Sequence, residues 1–146
     1  VNALLRFKDG GKGVLSISQV STGEENGLKL RIYAEKGAVL WAQENPNYME
    51  IYRYGEPRQV ITRGQGYLSE PAANCTRVPT GHPEGYLEAF ATIYCGVVTA
   101  VRAHIDGKPL KTEEYDFPTV YDGLRGMEFI TKAVESANNG ATWVTL

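Results

Sequence analysis

Gly81-His82-Pro83-Glu84-Gly85-Tyr86-Leu87-Glu88-Ala89-Phe90 is the stretch where this chain changes its period. From there Leu87, Phe90, Tyr94, Val97 and Val101 recur at helical spacing, which predicts one long helix from about Pro83 to Ile105. Pro83 suits a first helical turn, where its missing N–H costs nothing. Upstream the period is two. Leu28, Leu30, Ile32 and Ala34 alternate with Lys29, Arg31 and Tyr33, the pattern of a half-buried strand. Further strands are expected at Ala3 to Lys8, Gly13 to Val20, Ala38 to Ala42, Tyr48 to Tyr54 and Arg58 to Thr62. Turn formers separate them, led by Asp9-Gly10-Gly11, which tolerates positive φ. Short strands so punctuated describe an antiparallel meander.

Beyond the long helix, a loop through Asp106-Gly107-Lys108-Pro109 leads on to Asp116-Phe117-Pro118-Thr119-Val120-Tyr121-Asp122-Gly123. A second helix is predicted from about Val120 to Ala137, with the apolar stripe Val120, Leu124, Met127, Thr131 and Val134. Thr119 is its N-cap, and Asp122 three residues on makes a capping box with Asp in place of Glu. Asn138-Asn139-Gly140 stops it. Strands followed by helices give an α+β fold: a mainly antiparallel open-faced sheet with helices packed on one face around a single core. The other sheet face is then uncovered. Tyr33, Trp41, Tyr48, Tyr52 and Tyr54 fall on alternating strand positions and are expected to share it as a subunit interface, since large apolar patches mark interaction surfaces. The plainer alternative is that the tyrosines point their hydroxyls outward along an ordinary strand.

A chain of 146 residues fits one domain, and 42% hydrophobic with 22% charged residues is ordinary globular composition. A net charge of −2 gives no electrostatic reason to expect nucleic acid or an anionic membrane as partner. No apolar run approaches the ~20 residues of a membrane span, and a cytoplasmic location is expected. The nine tyrosines are many for this length, and tyrosine suits sugar-like ligands and subunit interfaces. Cys75 and Cys95 lack zinc-ligand spacing and are too few for a disulfide framework, so two reduced thiols are expected, with a single disulfide as the alternative. The chain opens Val1-Asn2-Ala3-Leu4-Leu5, without Met and as if inside a strand, and reads as a piece of a longer protein.

Chemistry concentrates at His82. A neutral imidazole can donate to or accept from a hydroxyl, and the helix start beside it offers free N–H groups to an oxygen-rich ligand. The bland alternative is a loop histidine that orders the turn. Glu84 reads as a first-turn residue favoured by the helix dipole, and His104, late in the same helix, as structural. Asn45 and Asn47, in Gln43-Glu44-Asn45-Pro46-Asn47, are weaker candidates for sugar hydroxyls, because Asn and Pro in a hairpin are first of all turn formers. Other motifs fail. Gly64-Gln65-Gly66 lacks a third glycine and a βαβ setting, Ser16 and Ser18 have no nucleophile-elbow context, and no His/Cys spacing makes a metal site.

Five segments, in order, carry a family resemblance. They are Gly10-Gly11-Lys12-Gly13-Val14-Leu15-Ser16, then Ala34 to Trp41 with Ala34 in place of a usual glycine, then Trp41 to Asn47, Gly81 to Tyr94, and Asp116 to Gly123. Together, over nearly the whole chain, they resemble the C-terminal domain of the glucose–fructose oxidoreductase / inositol dehydrogenase / rhizopine-catabolism (Gfo/Idh/MocA) oxidoreductases. The resemblance implies a two-domain, NAD(P)-dependent enzyme acting on a sugar or polyol. Its first domain is a Rossmann domain that holds the cofactor and a Glu-Lys-Pro lysine, and its second opens with an Asp-x-x-x-His pair for proton transfer. Neither motif occurs here, and Lys36 is not that lysine, since glycine follows it. The implied role of residues 1–146 is therefore the C-terminal substrate-binding and oligomerisation domain, without the N-terminal Rossmann domain. That role includes no catalytic residue and no cofactor in this piece, with NAD or NADP held in the intact enzyme. It also implies that His82, Asn45 and Asn47 face the substrate, and that a dimer or larger homo-oligomer forms through the open sheet. The alternative class is a non-catalytic binding or interaction module.

Overall fold

The structure, a computed structural model, describes residues 1–109 and 117–146, so Asp116 of the second loop lies outside the described residues. The elements are β1 (Asn2–Arg6), β2 (Lys12–Ser16), β3 (Lys29–Ala34), β4 (Gly37–Ala42), β5 (Tyr48–Arg53), β6 (Gln59–Thr62), α1 (Glu70–Asn74), α2 (Tyr86–Ile105) and α3 (Val120–Asn138). The α+β class and the antiparallel pairing follow the sequence pattern closely. Helix α1 is an addition inside the loop from Gly64 to Pro79. Its signal, Ser69 before Glu70-Pro71, is a short N-cap and first-turn pattern too brief to carry a period.

The described chain forms two compact units rather than one shared core: Val1–Gly23 with Phe117–Leu146, and Glu24–Asp116, described as far as residue 109. In the first unit β1 and β2 form a hairpin with Leu4 opposite Val14. Gly10 turns it at a φ of +90°, a conformation glycine adopts without steric cost. The Arg6 guanidinium lies 4.1 Å from the Trp143 ring centre. Helix α3 opens as a capping box in its carboxylate half: Asp122 Oδ2 accepts from the Thr119 backbone N–H and from the Thr119 hydroxyl, both at 2.8 Å.

The second unit is built on a four-stranded sheet in the order β3-β4-β5-β6. Gly37 starts β4 where a Cβ would lie 2.1 Å from the Tyr52 carbonyl oxygen, so only glycine lets these two strands approach. The register corrects one sequence expectation. Tyr33 lies opposite Ala38, and Ala38 opposite Tyr52, so these tyrosines share a face, and Tyr48, four residues from Tyr52 on β5, joins them. Trp41 lies opposite Leu30 and Met49 and therefore occupies the reverse face, with Ile32, Val39 and Ile51. Alternation within each strand was legible, but the pairing offset between β3 and β4 was not, and that offset decides which face a residue takes. Tyr54 lies just past β5 and is 97% exposed.

Helix α2 also begins later than expected, at Tyr86 rather than Pro83. Gly85 is extended (φ −166°, ψ −124°) and serves as N-cap, its N–H held by Glu88 Oε2 at 2.8 Å. Glu84, expected in the first turn, is drawn out of the helix by partners elsewhere in the unit. Among the described residues no hydrophobic side chain is buried, and Glu84 is the single buried polar one, at 8% exposure.

Candidate functional site

The site assembles where the β4–β5 hairpin, the end of β6 and the loop before α2 meet within the second unit. The hairpin turns tightly: Asn45 N–H donates to Ala42 O at 3.1 Å, and Tyr48 N–H to Asn45 O at 3.4 Å. Trp41 Nε1 donates to Pro46 O at 3.2 Å, fixing the turn from beneath. A Cβ on Gly85 would touch Pro46 Cγ at 3.9 Å, so the hairpin tip reaches the start of α2.

Asn47 bridges the two. Its Oδ1 accepts from the Glu84 N–H at 3.0 Å and its Nδ2 donates to Glu84 O at 2.9 Å. The same Oδ1 also accepts from Arg63 Nε at 3.0 Å. An amide so committed has no hydrogen left to aim at a ligand except one N–H. Asn45, by contrast, makes no side-chain hydrogen bond among the described residues.

Arg63 follows β6 and turns its guanidinium across the loop. Its Nη1 donates to Val78 O at 2.8 Å and its Nη2 to Pro79 O at 3.3 Å and to the His82 carbonyl. It also pairs with the Glu84 carboxylate, the two side chains being 17% and 5% exposed. That carboxylate accepts two further backbone donors, Arg77 N–H at 2.7 Å and Val78 N–H at 3.4 Å. No buried side-chain nitrogen or oxygen among the described residues is left without a partner, as a low-dielectric polar cluster requires. Arg77 ties the loop onward to α2, with Nε 3.1 Å from Thr92 Oγ1 and Nη2 3.2 Å from Cys95 Sγ. Both cysteines are free.

His82 is therefore held by its backbone. Its N–H donates to Pro79 O at 3.1 Å, its carbonyl accepts from Arg63, and its exposed imidazole makes no hydrogen bond among the described residues. The turn-ordering role that a loop histidine commonly plays belongs to Arg63, Asn47 and Glu84 instead. The sequence singled out His82, Asn45 and Asn47 as candidate contacts, but not Arg63, and it read Glu84 as a first-turn helix residue rather than a buried ion-pair partner. No local pattern marks either, because their partners are scattered from 6 to 37 residues away in the chain.

Two surface concavities lie elsewhere, and His82 lines neither. One of about 420 Å³ runs along α3 at Leu124, Met127 and Thr131, and one of about 280 Å³ is lined by Tyr33, Tyr52 and Tyr54. No group of three or more His, Cys, Asp or Glu among the described residues could hold a metal ion, and no described helix is long and apolar enough to cross a membrane. Among the described residues there is also no βαβ dinucleotide cradle. Their strand pairs are all antiparallel, with no βαβ unit, and the five-residue α1 after Gly64-Gln65-Gly66 is not a crossover helix.

The sequence matches the family described as the oxidoreductase family, C-terminal alpha/beta domain, over residues 1–146. It is 31% identical over 98% of its length to the uncharacterized oxidoreductase YfiI of Bacillus subtilis, of which it covers 36%. Among solved structures, an oxidoreductase from Sinorhizobium meliloti is similar at 41% identity and a TM-score of 0.87, over 97% of this chain and 39% of that one. An inositol dehydrogenase homolog from Azotobacter vinelandii, complexed with NADH and myo-inositol, is similar at 30% identity and a TM-score of 0.94, over 99% of this chain and 38% of that one. The chain thus spans little more than a third of the length of these relatives.

Proposed function

The chain belongs to the C-terminal alpha/beta domain family of the Gfo/Idh/MocA oxidoreductases, and from that premise we propose that it is the substrate side of an NAD(P)-dependent sugar or polyol oxidoreductase. One observation carries the reading: a histidine whose backbone is fixed on both sides and whose imidazole is left free to meet a ligand. In this reading the His82 imidazole hydrogen-bonds a substrate hydroxyl and sets which carbon faces the cofactor. Asn45, with a free amide at the neighbouring hairpin tip, is a second contact, and Asn47 holds the two segments together while keeping one N–H for the ligand. NAD or NADP is held by another domain of the intact enzyme, a Rossmann domain by family resemblance. The described residues bind and orient. The enzyme works in the cytoplasm and assembles through the tyrosine-bearing sheet face.

The substrate class is supported by the myo-inositol held in the Azotobacter relative. The test is turnover by the full-length protein. NAD or NADP is expected to be reduced in the presence of myo-inositol or another cyclic polyol or hexose. Purified, folded full-length protein that binds cofactor yet turns over none of a broad polyol and sugar panel, in either direction, would remove the reading.

A further inference from the structure

The one buried charged group in the described chain belongs to no helix and no strand, and it sits two residues from His82. A buried ion pair is a poor device for stability alone, because desolvation offsets most of its attraction. It is a good device for fixing one geometry, and here the geometry is that of the His82 loop. The Arg63 guanidinium is planar and offers its donors in a rigid fork. It uses them on three targets in the loop, the carbonyls of Val78, Pro79 and His82, while pairing with Glu84 and Asn47. Glu84 closes the other side by accepting the N–H groups of Arg77 and Val78.

We propose that Arg63 and Glu84 are positioning residues, a buried lock that sets the loop from Arg77 to Gly85 so that the His82 imidazole is presented to the polyol. This rests on the substrate reading of His82, and it makes Arg63 act through His82 rather than on the ligand. Lysine at position 63 keeps the charge for Glu84 but cannot reach three carbonyls at once. Arg63→Lys in the full-length enzyme is therefore expected to leave the protein folded and to lower kcat/KM for the polyol, while the dissociation constant of the nicotinamide cofactor stays unchanged.

The decisive experiment pairs a double-mutant cycle with amide hydrogen exchange. Arg63→Lys, His82→Asn and the double variant are compared in kcat/KM. If Arg63 works through His82, the double variant is no worse than His82→Asn, whereas losses that multiply overturn the proposal. Independently of activity, the N–H groups of Arg77 and Glu84 exchange faster in Arg63→Lys while those in the middle of α2 do not. Unchanged exchange at both also overturns the lock. The substrate reading fails separately: a silent His82→Asn removes the polyol contact, and with it the claim that the lock serves binding, even where exchange shows the lock itself.

Discussion

At the scale of single residues, Glu84 shows how position along a chain misleads. Its sequence setting, just after Pro83 and before an apolar helix, describes a dipole-favoured carboxylate in water. Its structural setting is a desolvated site with one guanidinium and two backbone donors as neighbours. Removing the charge while keeping the shape, by Glu84→Gln, leaves the Arg63 guanidinium without its counter-ion. Breaking one side of a buried pair costs about 3–5 kcal/mol, and urea denaturation of the full-length protein is expected to show a loss on that scale. A variant as stable as the parent would mean that water reaches the pair. The Asn45 and Asn47 contrast is of the same kind. Both read as turn formers, yet one amide is consumed by the framework and the other is left open, a difference written in residues some 37 positions away.

Elements were more legible than sites. The six strands and the two long helices follow from alternation, helical spacing and turn chemistry, all properties of neighbours in sequence. What escaped was non-local: the offset that puts Trp41 across the sheet from Tyr33, and the pull of Arg63 that starts α2 at Tyr86. The Thr119–Asp122 cap was legible because it is local, and it makes a pH-dependent expectation. The Asp122 carboxyl is held below its ordinary 3.8 chiefly by the Thr119 backbone N–H, then by the Thr119 hydroxyl. A depressed folded-state value means that the cap stabilises α3 fully above the ordinary carboxylate range. That contribution is lost as pH falls below 3.8 through the folded value. Asp122→Asn is therefore expected to lower thermal stability at neutral pH and to match the parent more closely as pH falls through that window, followed by circular dichroism. An equal deficit at all pH values would remove the carboxylate from the account.

For the whole molecule, the controlling fact is how little apolar surface the described residues hide. Leu30 and Ile32 on one sheet face are each 53% exposed, Tyr33 on the other is 72% exposed, and Val120 and Leu124 on α3 are 79% and 65% exposed. Apolar faces left open in this way are the kind that serve as interaction surfaces. On the tyrosine face the partner is proposed to be a second copy. Tyr52→Arg in the full-length protein is expected to shift light scattering from dimer or larger toward monomer. The same charge at Trp41, on the reverse face, is expected to act on folding instead, and a Tyr52→Arg protein of unchanged mass would take that face out of the interface.

The contact on which the proposed role rests is that between the His82 imidazole and the substrate. Its most direct test is steady-state kinetics of His82→Asn in the full-length enzyme with its polyol. A mismatched buried partner costs about 1–3 kcal/mol, which corresponds to a roughly 5- to 150-fold fall in kcat/KM. That fall is expected with cofactor affinity unchanged, and an enzyme with parental kcat/KM for the polyol would contradict the assignment of His82 to the substrate.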